Sequence, residues 1–360
     1  MKKIGTLNFI RNRVFGLSLI ILLGIASVIT MVNISCSDDN STVDLVGNWI
    51  ELSDFEGIPR SDAVGFAIGN KGYVGTGYNP DAKDDTSVCA DGRIKDFWEY
   101  DPERNTWNQK ASFPGGYRNG AVGISTATKG YVGTGYDGDS SKNDFWEYDP
   151  AMNTWTRKAD FAGSRRYGAM GFSIDNKVYI GTGYDGYYLK DFWEYDPATN
   201  GWTKKASVGG SKRTNAVGFT INGKGYVCTG MDNGAYEDDF WEYDPATDVW
   251  TELRSISNAT DESFDDNYTT LTGVNKVGFA LNGKGYIATG GAGTATSIVW
   301  EYDPATDLWE EKTAFEGTAR VDAVAFVIGD RAYVATGRSS SYYFDDIWGF
   351  EPGSEFNAND

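Results

Sequence analysis

Short apolar runs, about five residues each, set the rhythm of residues 46–352. Met170–Ile174 alternates large and small residues and stops at a turn pair, Asp175-Asn176. KVYIGTGY (177–184) is a second apolar run, ending in glycine, and DFWEYDP (191–197) is a third, closed by Asp-Pro. The segment around Trp155, TWTRKAD, is a fourth type. Alternation with a period of two, bounded by turn residues, predicts β-strands. The Asp-Pro followed by Ala-Thr-Asn or Glu-Arg-Asn predicts a tight turn between the third and fourth strands. No long stretch carries the 3.6-residue period of an amphipathic helix.

The four runs recur as a unit. DFWEYDP stands at 96–102, 144–150, 191–197 and 239–245, with looser copies at 299–304 and 347–352. The tryptophans in these copies, Trp98, Trp146, Trp193, Trp241, Trp300 and Trp348, are spaced by 48, 47, 48, 59 and 48 residues. A second tryptophan follows nine residues later in five copies, at Trp107, Trp155, Trp202, Trp250 and Trp309. Trp348 has no such follower, whereas Trp49 has no predecessor. Joined, they make a sixth unit, so all 12 tryptophans are assigned in pairs. Phe55 and Arg60 follow Trp49 at the offsets by which Phe113 and Arg118 follow Trp107. Six four-stranded units of roughly 47 residues predict an all-β, six-bladed β-propeller. The N-terminal strand (about 46–55) should complete the C-terminal blade (about 320–352) and so remove a free sheet edge.

These residues resemble the kelch repeat: a Gly-rich end to the second strand, then an aromatic-rich third strand with Tyr-Asp-Pro and a tryptophan beyond. The likeness covers about 46–352, with Thr-Gly, as at Thr134-Gly135 and Thr229-Gly230, where kelch repeats usually carry Gly-Gly. It implies fold and leaves function open, because propellers host enzymes, binders and scaffolds alike. Galactose oxidase is similar in its repeats but needs histidine ligands to copper, and this chain has no His. Sialic acid mutarotases are six-bladed kelch proteins of the bacterial envelope that work through Arg and acids, so a missing histidine does not exclude them.

Absent histidine also removes His-based triads, general bases and metal sites. No cofactor or metal is expected. Lys2, Lys3, Arg11 and Arg13 precede an apolar run at 14–32, and then NISCSDDN. This resembles a bacterial lipoprotein signal (1–35) with Cys36 as the lipidated residue and 36–45 as linker, and the acids after Cys36 resemble the export tag of surface lipoproteins of Bacteroidota. An uncleaved membrane anchor is the alternative, since the run is long enough to span. The resemblance implies an exported outer-membrane lipoprotein displayed at the surface. Without residues 1–35, 28 bases face 51 acids, a net charge of −23 that disfavours nucleic acid. Cys89 and Cys228 are expected to be free thiols, and 353–360 a disordered tail.

Function is expected where the rhythm breaks. About ten extra residues lie within 79–95, in a loop between second and third strands. Twelve more lie within 253–275, in a loop from a fourth strand to the next blade. Both loops should leave the same face. That face should also carry Arg60, Arg118, Arg166, Arg213 and Arg320, with Gly273 in the sixth place. As a ring at the channel mouth these would suit an anion; as structural residues they would pair with Asp96, Asp144, Asp191, Asp239 and Asp346. Tyr78, Tyr136, Tyr184, Tyr187, Tyr188, Tyr236, Tyr342 and Tyr343 stand in loops of this face as flat contact area for a sugar or peptide. Acid clusters at Asp81/Asp84/Asp85 and Asp261/Glu262/Asp265/Asp266 read as solvated loops. The expectation is therefore a binding or scaffold propeller that contacts an envelope protein or a glycan. The alternative is an enzyme acting on acidic sugars through a central pocket.

Overall fold

The computed structural model describes residues 45–358 apart from Asp84, so the lipidation and signal assignments at 1–36 lie outside the described residues. Six antiparallel four-stranded sheets follow one another around an axis. Blade 1 is Val64–Ile68, Lys71–Gly75, Phe97–Asp101 and Thr106–Gln109 in spatial order. Blades 2 to 5 begin with the inner strands Val122–Ser125, Met170–Ile174, Val217–Ile221 and Val277–Leu281. Blade 6 takes Val324–Ile328, Arg331–Ala335 and Ile347–Glu351 from the end of the chain and Asn48–Glu51 from its start. Trp49 pairs with Phe350 and Glu51 with Trp348 in that closing register. The expected ring closure is therefore what forms. The tail beyond it folds back, since Gly47 N–H donates to Ser354 O and Asn357 N–H to the Asn48 side chain.

The alternating inner strands explain where the core sits. Val64, Phe66 and Ile68 point into the space between blades 1 and 2, while Gly65 lets the Val324 side chain of blade 6 approach. The core is thus divided into six layers, one between each pair of neighbouring blades. The third-strand and fourth-strand aromatics fill these layers edge to face, as with Phe97, Tyr148 and Trp155. Such contacts add about 0.5–1.5 kcal/mol per pair beyond area burial. Outer-strand tryptophans stitch blades together as well: Trp155, Trp202 and Trp250 each donate Nε1–H to a carbonyl of the preceding blade.

The two faces of the ring differ. The face with the strand 1–2 and 3–4 turns is regular. There Lys71, Lys129, Lys177 and Lys284 pair with the Asp of the Asp-Pro turn in their own blade. The face with the 2–3 and 4–1 connections carries both insertions and two extra hairpins, Met231–Tyr236 and Arg338–Tyr343.

Candidate functional site

On the irregular face each inner strand is preceded by the same short path: the arginine position, one residue, a tight turn residue, then the strand. The turn residues are Asp62, Gly120, Gly168, Asn215, Asn275 and Asp322, all left-handed with φ between 52° and 61°. Gly, Asn and Asp are the residues that accept this conformation most readily. Five links of a hydrogen-bonded ring join them around the axis. Gly120 N–H donates to Asp62 O, Gly168 to Gly120, Asn215 to Gly168, Asp322 to Asn275, and Asp62 to Asp322. Together with the residues that follow them, they line a small axial recess.

Of the two roles expected for the five arginines, the structure shows the structural one: they do not line this mouth as an anion-binding ring but pair with the five aspartates. Arg60, Arg118, Arg166, Arg213 and Arg320 are fully buried. Each forms a two-pronged pair with its blade's aspartate; in blade 3, Arg166 Nη1 and Nη2 lie 2.6 and 2.8 Å from Asp191 Oδ1 and Oδ2. The same Nη1 also donates to Thr182 O, and Trp193 Nε1–H donates to Asp191 Oδ2. Phe161 lies beneath the guanidinium at 4.9 Å. Burial opposes ionisation of Asp144 and Asp191, but their arginines still hold both carboxyls below the usual range. The terminal nitrogens of all five are engaged within the protein, as is Nε in every case but Arg118, so the physical role of these arginines is to lock loop to blade.

Blade 5 breaks this scheme. Gly273 replaces the arginine and Ile298 replaces the aspartate. Gly273 O still accepts from Gly230 N–H, as Arg118 O accepts from Gly77 N–H, so the backbone register is kept. The 253–275 insertion fills the gap. Trp300 Nε1–H donates to Thr270 Oγ1 instead of a carboxylate. Lys276 Nζ donates to Thr289 O, the carbonyl an arginine serves in the other blades, and to Thr270 O. Burial without a carboxylate partner pulls the Lys276 ammonium down to about 8. Tyr268, Leu271 and Ile256 from the insertion sink into the layer between blades 4 and 5. Asp265, one of its acid cluster, accepts from Ala259 and Thr260 N–H and shapes a turn. Among the described residues no group of three or more Cys, Asp or Glu could hold a metal.

The tyrosines assemble unequally. The residue after Thr-Gly in the 2–3 loop reads Tyr78, Tyr136, Tyr184, Met231, Gly291 and Arg338 around the ring. Tyr343 contacts Tyr78 with centroids 6.4 Å apart. Arg93, from the first insertion, lies over Tyr78 at 5.6 Å and over Tyr136 at 4.7 Å. Tyr136 meets Tyr167, Tyr167 meets Tyr184, and Tyr184 meets Tyr188, at 5.8, 5.7 and 5.1 Å. The result is an aromatic crescent over blades 6, 1, 2 and 3. Tyr187 is 78% exposed and forms the wall of a groove with Lys190 and Lys212. Tyr236 lies apart, in a recess with Val274, Gly291 and Arg338, and Tyr342 packs on Phe344 near the outer rim of blade 6.

Sequence reasoning missed Arg93, Tyr167 and an axial acid pair. Asp62 and Asp322, from the first and last blades, meet at the axial recess, joined by the Asp62 N–H to Asp322 O bond. Burial pushes both up, Asp322 well above the usual carboxylate range, with the neighbouring Asp62 charge adding to the effect. Arg338, 3.2 Å from Asp322, opposes it. Asn119 links the acids to the crescent, donating to Asp62 and accepting from Arg93 Nε at 2.8 Å. The first insertion is thereby wired to the axis.

Comparison with known proteins agrees with this geometry. The Kelch motif family is matched over residues 212–257. The solved structure of YjhT superposes with a TM-score of 0.65 at 15% identity, covering 82% of this chain and 95% of that one. The chain is a six-bladed kelch-repeat β-propeller. At that identity the likeness shows the fold alone. A local match to an N-acetylneuraminate epimerase of Yersinia enterocolitica is 38% identical over 64 residues. It spans 18% of this kelch propeller and 16% of the epimerase.

Proposed function

We infer that this kelch propeller is an exported, lipid-anchored binding protein that takes a glycan on its irregular face. The observation that carries the reading is the open crescent of tyrosines beside the Asp and Asn side chains of the axial mouth. Tyrosine faces pack on the C–H faces of sugar rings, and carboxylates and amides hydrogen-bond their hydroxyls. The inward arginines, which an anion pocket would use, are already paired. The local likeness to a protein named for a sugar-acid reaction is consistent with a carbohydrate ligand. Attachment through Cys36 is supported by the basic, apolar and small-residue order of the first 36 residues.

A glycan array probed with the mature protein tests the reading. Binding is expected, with loss in Arg93→Ala and retention in Lys129→Ala on the regular face. No retained glycan, together with stoichiometric recovery of an envelope protein on native pull-down, would replace a glycan by a protein partner. Cys36→Ser should move the protein from the membrane to the soluble fraction. One observation favours a second reading: the Asp62 and Asp322 carboxyls line the axial recess together, two acids in one site as general acid–base chemistry uses. An enzyme acting on acidic sugars would accelerate anomer exchange in a sugar NMR assay, and Asp322→Asn would abolish it.

A further inference from the structure

The crescent has a length, and its length says something about the ligand. Six tyrosines and one arginine form an unbroken series across four blades, from Tyr343 through Tyr78, Arg93, Tyr136, Tyr167 and Tyr184 to Tyr188. Neighbouring rings stand at 49° to 69°, so none is stacked flat against the next, and the series is half-buried to exposed along its length. Tyr167 is 37% exposed, whereas the core tyrosines Tyr73, Tyr131 and Tyr179 are at most 2% exposed.

Structural demand does not account for the series. The position after Thr-Gly is tyrosine in blades 1 to 3 but Met231, Gly291 and Arg338 in blades 4 to 6. The same backbone bridge forms in all six: Ser61 with Tyr78, Asn119 with Tyr136, Tyr167 with Tyr184, Thr214 with Met231, Val274 with Gly291, and Val321 with Arg338. The fold is satisfied without the ring. Tyr136 gives its O–H to Gly138 O within its own loop.

We propose that the crescent is a track for an extended neutral oligosaccharide, several units long, rather than the wall of a pocket for one sugar. The inference rests on the glycan reading above. Successive rings are spaced about as far apart as successive sugars in a linear chain, so each ring can take one face of the polymer. The cation in the series is spoken for, because Arg93 is ion-paired with Asp91, and Arg338 beside the track with Asp322. A neutral chain therefore fits better than a polyanion. Arg93 contributes a flat stacking surface between two tyrosines.

Titration calorimetry with laminari-, cello-, xylo- and manno-oligosaccharides of increasing length, from one unit upward, tests the proposal on the mature protein. For one series the affinity should rise at least about tenfold, roughly 1.4 kcal/mol, between the single sugar and the longest chain. Tyr167→Ala should remove most of that gain, while Tyr167→Phe, which keeps the ring, should retain it. Equal affinity for the single sugar and the long chain would overturn the track while leaving the glycan reading standing. Binding of none of the series, with an unchanged melting curve, would overturn both. A gain with length that survives Tyr167→Ala and Tyr78→Ala would put the polymer elsewhere.

Discussion

The two insertions leave the same face of the ring and have nearly the same length, yet they are different objects. The one in blade 5 lies where the repeat lost both its arginine and its aspartate, and it spends its residues restoring what was lost. Tyr268 and Leu271 fill the core layer, Thr270 takes the Trp300 N–H, and nearby Lys276 reaches the orphaned Thr289 carbonyl. The one in blade 1 lies where the repeat is complete, since Arg60, Asp96 and Trp98 form the usual knot. Its outward residue, Arg93, goes to the tyrosine crescent instead. An insertion beside a damaged repeat is structural; an insertion beside an intact one is free to do something else.

The largest effect should come from the blade 5 insertion. Tyr268→Ala removes a buried ring and two hydrogen bonds to the Trp309 backbone, at 2.7 Å from its N–H and 3.2 Å to its O. A loss of about 3–5 kcal/mol in chemical denaturation is expected. Arg166→Ala, which leaves the Asp191 carboxylate without its fork, should cost about 3 kcal/mol or more. By contrast Lys276→Met strands no carboxylate, only the Thr270 and Thr289 carbonyls, and should cost less, about 1–3 kcal/mol at pH 7.

Titration sharpens the contrast further. Lys276 sits at about 8 in the fold against an ordinary 10.5, so between these values the unfolded chain binds the extra proton. Stability should therefore rise from pH 8 towards pH 9.5, short of the range where tyrosines ionise, and Lys276→Met should flatten the rise. The axial acids act with the opposite sign. Asp322 keeps its proton in the fold above the ordinary 3.8, so its contribution is present at low pH and is lost as pH rises through the folded value. Asp322→Asn should remove that slope.

Much of the architecture was readable from tryptophan spacing. The nine-residue link to a second tryptophan, and the way Trp348 and Trp49 each lack one partner, gave blade number and closure together. The arginine series stayed open between two roles because a periodic charge looks the same whether it faces solvent or a partner. The deciding signal was present: Gly273 and Ile298 lose arginine and aspartate in the same blade, as expected of paired residues. The axial acids were illegible for another reason. Asp62 and Asp322 are 260 positions apart and meet because six blades close a circle. Their one local mark is a Gly, Asn or Asp two residues after each arginine position, the preference of a left-handed turn. Tyr167 was hidden because it sits beside Arg166 in a loop with no tyrosine at that place in other blades.

The smallest expected change in stability is also the most informative. Residues 81–91 can be replaced by the short connection of blade 2, Gly138–Ser140, and the variant measured for melting temperature and for glycan affinity side by side. Shortening the loop changes closure entropy by less than about 1 kcal/mol, and among the described residues of 81–91 only Val88 is buried. The account predicts a melting temperature within a few degrees of the parent and a loss of glycan affinity as Arg93 loses its setting. A large fall in melting temperature with affinity intact would contradict it, and would make the blade 1 insertion as structural as the one in blade 5.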